Sequence, residues 1–336
     1  MSANAALPDY VHPLSHGIYA VDSGFERPLF DSAYLMVEQG RAAFIDTAHN
    51  AAVPRLLGAL EALGITREAV DWVIPTHVHL DHAGGAGQLM AALPKARALI
   101  HPRGARHLID PSALIAGAIG VYGEAVVKAT YGEILPIPAG RVVETDLSRP
   151  EGMLIELAGR PLTVIDSPGH ARHHHAVWDE RSRGWFTGDT FGISYRDFDG
   201  PAGVEAPYVL PSCTPVQFEP QAMRESIARM LASAPDCVYL THFSRLPHPQ
   251  RVAGQILAQL DRLEQGALAW QAAQPDRAAI TAADREAAML ALMEQVLLDG
   301  AQAAGSPVPR ERARALLEVD IRLNAQGLAI WLARQA

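Results

Sequence analysis

The sequence predicts an α/β chain followed by an all-helical C-terminal region. Three observations carry this. Strand-like and helix-like segments alternate through about residue 240. Three helical patterns with no strand signal between them follow Pro249. A hydrophobic content of 49% over 336 residues supplies packed cores and excludes a mainly disordered chain. The length suits one large domain or two modest ones. We expect the α/β part to span residues 1–248 and the helical part 249–336.

The elements follow in order. Ile18-Tyr19-Ala20-Val21 reads as a strand and Ala33 to Val37 as another; Gln39-Gly40 then turns the chain into Ala42 to Ile45. Apolar residues at helical spacing (Val53, Leu56, Leu57, Leu60, Leu63) predict a helix over 51–63, closed by Gly64. Trp72-Val73-Ile74 is a short buried strand ending at Pro75. Ala86 to Leu93 is a helix stopped by Pro94, and Ala98 to Ile100 is the next strand. About residues 104–132 read as a helical insertion, rich in large apolar residues (Leu114, Ile115, Ile119, Val126) and poor in charge. Such a segment either packs on the core or forms a wall of a substrate pocket.

Strands resume over 153–157, 162–165, 176–178 and 185–187, with Arg181-Ser182-Arg183-Gly184 turning between the last two. Pro201 to Pro215 is a long loop, a type that is often functional inside compact domains. Pro220 to Ala232 is a helix and Val238 to Leu240 the final strand. The C-terminal patterns are Val252 to Trp270, Ala282 to Leu298 and Arg310 to Arg334, with Thr281 to Asp284 and Pro307 to Pro309 as helix starts.

Composition excludes several functions. With 28 basic residues against 37 acidic and a net charge of -9, the chain lacks the basic surface that phosphate binding needs. Two cysteines, Cys213 and Cys237, build neither a disulfide framework nor a cysteine-rich zinc module and suit a reducing cytoplasm. The first ten residues have no secretory pattern, and no apolar run is long enough to span a bilayer, so no membrane partner is expected.

Histidine is the informative residue. Seven of the fourteen fall in two short stretches, His77/His79/His82 and His170/His173/His174/His175. In Thr76-His77-Val78-His79-Leu80-Asp81-His82, residues 77 and 79 alternate along an extended segment, so both rings can point the same way. Asp81 and His82 follow in the turn. Four metal-competent groups thus leave one strand end, with Gly84 and Gly85 freeing the backbone behind them.

This run resembles the T/S-H-x-H-x-D-H signature of the metallo-β-lactamase fold hydrolases, in the branch of the glyoxalase II and lactonase enzymes. Ser167-Pro168-Gly169-His170, Thr187-Gly188-Asp189-Thr190 and Leu240-Thr241-His242 resemble that family's later motifs, in the same order. The resemblance covers about residues 16–245. It implies a four-layer αββα sandwich, here with a helical C-terminal extension. It also implies two divalent transition-metal ions: His77, His79 and His170 on one, Asp81, His82 and His242 on the other, Asp189 bridging. Five imidazoles and two carboxylates suit zinc foremost, with iron or manganese also accommodated. A metal-bridging hydroxide attacking a carbonyl would follow, with Asp81 handling the proton, so the implied activity is hydrolysis of a small ester, thioester or lactone. A complete ligand set argues against the single iron of the sulfur-dioxygenase relatives.

Other positions follow from the same resemblance. Asp46, in Phe44-Ile45-Asp46-Thr47, matches a strand-end aspartate that orients a ligand histidine, and His174 is placed behind the ligands rather than on a metal. Of His173 and His175, one is expected to face solvent and the other to pack in a strand. His101 ends a strand but falls on no motif and is discounted. Cys213 is expected to be an inert buried thiol. Lactonases of the fold carry a tyrosine three residues after the bridging aspartate. Here that position is Gly192, which leaves Phe191, Tyr195 and Tyr208 as pocket candidates. The helical region holds Arg310, Arg312, Arg314 and Arg322, ordinary solvated arginines rather than a glutathione site. Asp189, where many β-lactamases have cysteine, argues against that activity, and the charge argues against the fold's nucleases. Two alternatives to a hydrolase are a di-iron oxidoreductase and a metal-bearing signalling effector. His79 and the helical tail, where flavodiiron enzymes carry a carboxylate and a flavodoxin-like domain, disfavour the first. The expected partners are a small-molecule substrate and a second copy, through the helical C-terminal region.

Overall fold

The structure, a computed structural model, describes residues 7–276 and 279–335. Part of the segment behind the expectation of no secretory leader, residues 1–6, lies outside the described residues. The chain forms two compact units. The first takes its described residues from 7–166, 173–188 and 241–244; the second from 167–172, 189–240 and 245–335.

In the first unit β1 (Val11–Pro13), β2 (Ile18–Asp22), β3 (Ser32–Glu38) and β4 (Arg41–Ile45) run antiparallel in chain order. Gln39 and Gly40, with φ of 48° and 76°, form the expected two-residue hairpin between β3 and β4. The sheet then changes character: β5 (Val70–Ile74), β6 (Arg97–Ile100) and β7 (Val142–Glu144) join in parallel. Parallel strands need crossovers. These are supplied by α1 (Val53–Ala62), by α2 (Leu80–Ala83) with α3 (Ala86–Ala92), and by the insertion. Leu56 and Leu60 of α1 and Leu89 and Met90 of α3 share one buried core with Val21, Leu35, Phe44, Val73 and Ile100 of the strands.

A second antiparallel set, β8 (Met153–Leu157), β9 (Arg160–Asp166), β10 (His175–Asp179) and β11 (Gly184–Gly188), belongs to the same unit. Tyr34 on β3 meets Phe186 on β11 edge to face at 5.1 Å, so the two sheets pack face to face there. The buried Arg160 guanidinium is held by both oxygens of Asp179, its Nε at 2.8 Å. The insertion is three helices rather than one stretch: α4 (Pro102–Ile109), α5 (Ser112–Tyr122) and α6 (Glu124–Tyr131). Pro111 and Gly123 mark the breaks, Gly123 with φ of 85°, a conformation glycine adopts without strain.

The second unit carries α7 (Pro220–Ala232), β12 (Cys237–Leu240), most of β13 (Ser244–Pro247), α8 (Pro249–Ala272), α9 (Ala282–Ala303), α10 (Arg310–Leu316) and α11 (Glu318–Ala333). Thr281 and Asp284 form the reciprocal capping box that starts α9. The segment from Asp189 to Thr214 is tied to the helices and belongs with them. Tyr208 donates its hydroxyl to the Leu297 carbonyl (2.8 Å) and to Gln259 (3.1 Å), Tyr195 donates to Asp320 (3.0 Å), and Asn324 accepts from the Cys213 amide (2.6 Å). Strands β1, β7 and β13 were not expected, so 238–240 is not the final strand. Among the described residues no single helix is long and apolar enough to cross a membrane.

Candidate metal centre

The site begins at the carboxyl ends of two parallel neighbours, the usual ligand-binding edge of such sheets. Ile45 at the end of β4 is in register with Ile74 at the end of β5, so Asp46 and, just past Pro75, Thr76 come side by side. Asp46 has φ of 58°, a left-handed conformation that aspartate tolerates better than most residues. Its carboxylate is fully engaged. Oδ1 accepts from the Thr76 amide (2.6 Å) and hydroxyl (2.9 Å), and Oδ2 accepts from Thr241 (2.7 Å) and from Nδ1 of His82 (2.8 Å).

That last bond fixes a tautomer. With its Nδ1 proton on Asp46, the His82 ring turns Nε2 toward Asp81, 3.6 Å from Oδ2. His242 repeats the arrangement. Its Nδ1 donates to the Phe30 carbonyl at 3.1 Å, and its Nε2 lies 3.3 Å from the same Asp81 oxygen. The ligand atoms of Asp81, His82 and His242 all lie within 4.8 Å of one another. Two imidazole lone pairs and one carboxylate converge, with each ring held from behind. This donor set fits a divalent transition metal. Asp46 thus holds the His82 ring from behind.

His77 and His79 also come together. Nε2 of His77 is 2.9 Å from Nδ1 of His79, and Thr76 Oγ1 is 3.2 Å from Nδ1 of His77. His174, fully buried, stacks on His77 with ring centroids 4.9 Å apart. A Cβ at Gly188 would sit 2.5 Å from both His174 Nε2 and Thr76 Oγ1, so only glycine allows this packing. At Gly85 a Cβ would meet the Thr47 carbonyl at 2.9 Å, which is why glycine follows the motif.

The second unit holds the other two expected ligands together. His170 Nδ1 lies 3.3 Å from the Ser212 carbonyl, and its Nε2 is 3.7 Å from Oδ2 of Asp189, which also accepts from the Ser212 hydroxyl at 3.3 Å. The pattern is again a ring anchored at Nδ1 and presenting Nε2. Phe191, Tyr195 and Tyr208 are buried within the same unit, and both tyrosine hydroxyls anchor the chain to the C-terminal helices. Cys213 is buried, and burial pushes its thiol well above the usual range.

The remaining histidines divide clearly. His101 spends Nδ1 on the Arg103 amide and Nε2 on Asp166, which justifies discounting it. His175 spends Nε2 on the Pro75 carbonyl (2.8 Å) and Nδ1 on Thr145 (2.9 Å). Its burial, with His101 nearby, pushes its pKa down to about 4. His173 was a candidate for solvent exposure, but both it and His175 are buried; burial with His79 close by pushes His173 down to about 2. Sequence reasoning missed Asp31. It is fully buried, accepts from Ser23 at 3.2 Å, and burial raises its carboxyl to about 7 against the pull of His242 and His82. No motif marks it; a buried aspartate in a loop has no sequence signature.

Residues 27–242 match the family described as the metallo-beta-lactamase superfamily. The chain belongs to that superfamily. The expected resemblance and its fold, two sheets flanked by helices with a helical C-terminal region, are therefore established. A metallo-beta-lactamase fold-containing protein from Sulfurisphaera tokodaii, ST1585, is 25% identical over 231 residues, covering 67% of this chain and 78% of its own. The solved structure of ST1585 has a TM-score of 0.62 at 21% identity, over 96% of this chain and 100% of that one. The metallo-beta-lactamase family protein TTHA1429 from Thermus thermophilus also has a TM-score of 0.62 at 21% identity, over 95% and 94%. A hydroxyacylglutathione hydrolase from a Synechococcus species is 30% identical over 130 residues, 38% of each chain.

Proposed function

We propose that this superfamily member is a dinuclear metal-dependent hydrolase of a small ester, thioester or lactone. The observation that carries the reading is the convergence of His82 and His242 on Asp81, each ring locked at Nδ1 so that Nε2 is the ligating atom. In this proposal Asp81, His82 and His242 hold one ion, His77, His79 and His170 hold the other, and Asp189 is shared. The nitrogen and oxygen donors favour zinc, with iron or manganese as alternatives. Bound divalent cations would supply an acidified water and polarise the scissile carbonyl.

The chain's own residues do the rest. Asp46 and the Phe30 carbonyl keep both imidazoles in the ligating tautomer. Asp81, with a quarter of its side chain exposed beside buried histidines, is the carboxylate placed to pass a proton as the bond breaks. The partial match to a protein named as a hydroxyacylglutathione hydrolase supports an acyl substrate. Two buried cysteines that form no disulfide and a net charge of -9 support a cytoplasmic enzyme acting on a small metabolite rather than nucleic acid. We retain the C-terminal helices, with Leu268, Leu290 and Val319 exposed, as a dimer surface; a monomer in light scattering at working concentration overturns that part.

The test is a panel of thioesters, aryl esters and lactones offered to protein of defined metal content, as wild type and as Asp81→Ala. We expect turnover of at least one class, reduced by about 10²–10⁴-fold in the variant. Equal rates in the two proteins refute the mechanism. Oxygen consumption with a reductant and no hydrolysis selects the di-iron oxidoreductase; neither activity selects the signalling effector.

A further inference from the structure

The insertion has a property that the metal centre does not explain. Helix α5, Ser112–Tyr122, contains no charged residue and no fully buried one. Leu114, Ile115, Ala118, Ile119 and Tyr122 recur at helical spacing along one side and are only half-buried. They pack on a small cluster formed by Phe25, Leu80, Val127, Tyr131 and Ile134, with Phe30 at its edge. An amphipathic helix normally completes the burial of such a stripe. Here the stripe stays half open, and exposed Val121 and Val126 extend it.

This apolar surface is continuous with the candidate centre at two points. Leu80 lies between His79 and Asp81 in the chain and belongs to the cluster. The Phe30 ring meets the His242 ring edge to face at 5.4 Å, while its carbonyl holds that histidine. From Phe30 the contacts run to Phe25 at 5.8 Å, to Tyr131 at 5.9 Å and to Tyr122 on α5 at 6.4 Å. An aromatic path therefore leads from a ligand histidine to the half-open helix. Arg27 lies over the Phe30 ring at 4.6 Å.

We propose that α5, with Phe25 and Phe30, is the acyl-binding wall of the site, and that the substrate carries an unbranched apolar chain of several carbons on the carbonyl side of the scissile bond. The occupant follows from the continuity with His242 and from the lack of charge along α5. This deepens, and rests on, the hydrolase reading above.

Two measurements separate the two claims. Calorimetric titration of the metal-loaded protein with butyrate, octanoate and dodecanoate requires no turnover. We expect saturable dodecanoate binding at least tenfold tighter than butyrate, and loss of that difference in Ile115→Gln/Ile119→Gln, a pair of changes that keeps helix propensity. Hydrolysis of p-nitrophenyl esters from acetyl to dodecanoyl then reads specificity. Each methylene leaving water should raise kcat/KM by about two- to fourfold until the wall is filled. The dodecanoyl-to-acetyl ratio should fall at least tenfold in the double variant. No turnover of any ester, with dodecanoate binding intact, removes the hydrolase reading and leaves the acyl wall standing. Equal affinity for butyrate and dodecanoate, or a chain-length profile unchanged in the double variant, overturns the wall. Binding of lipid vesicles without saturable dodecanoate binding also overturns it, in favour of a membrane-facing helix.

Discussion

His82 and His175 are both fully buried, and each has Nδ1 within 2.9 Å of a protein oxygen, yet the two have opposite fates. The difference lies in the second nitrogen. Nε2 of His175 donates to the Pro75 carbonyl, an acceptor only, so both ring nitrogens are satisfied inside the protein. Nε2 of His82 faces a carboxylate oxygen that His242 also faces. A buried histidine is thus a structural cross-link when the fold closes both ends of the ring. It is available to ligate a metal when the fold closes one end and aims the other at more donors. The same contrast separates His101, closed at both ends, from His170, anchored at Nδ1 with Nε2 toward Asp189.

The largest expected effect breaks this contrast directly. His82→Ala should abolish hydrolysis in a steady-state assay, while His175→Phe should keep it; equal losses would mean that ring orientation is not what distinguishes them. Next comes the anchor. Asp46→Asn leaves the shape intact but removes the charge behind His82, and metal affinity measured by competition with a chelator should weaken by about 10–100-fold. A variant that binds as tightly as the parent would remove Asp46 from the orienting role. Smaller is the stability effect at the closed histidine. His175→Phe strands the Pro75 carbonyl and the Thr145 hydroxyl in a buried setting, at a cost of about 1–3 kcal/mol in denaturant unfolding. Bound metal per chain should not change.

A stability effect of similar size appears in pH. Burial lowers the His175 pKa to about 4 in the folded state, below the ordinary value near 6.5. Between those values the unfolded chain binds the proton that the folded one refuses, so stability rises with pH across that window and is lost as pH falls through it. Thermal unfolding of the metal-free protein should drop between pH 6.5 and 4, by on the order of 2–3 kcal/mol from this residue. His175→Phe should flatten that part of the profile, and a slope unchanged in the variant assigns it to other groups.

Much of the site was legible because chemistry confined to a few consecutive residues leaves a pattern. The run from Thr76 to Gly85 gave spacing, alternation and the glycine requirement together, and the structure brings His82 near both Asp81 and Asp46. The fold was legible where periodicity was long enough, as in α1, α7 and α9. It was not legible for β1 and β7, because three residues are too few to show alternation. The break between α10 and α11 falls at Leu317, with neither proline nor glycine to announce it. The division into units was hidden for a different reason. Tyr195, Tyr208 and Asn324 link segments more than fifty residues apart, and no local signal records such bonds. The burial of His173 and Asp31 is tertiary in the same sense.

In the proposed function, Asp81, His82 and His242 form one ion site of a dinuclear centre. Titration of the metal-free protein with cobalt(II), followed by its ligand-field absorption, tests it most directly. We expect two ions per wild-type chain and one per chain in His242→Ala, with the spectrum of the missing site gone. An unchanged stoichiometry and spectrum in that variant, or no specific binding in the wild type, would contradict it.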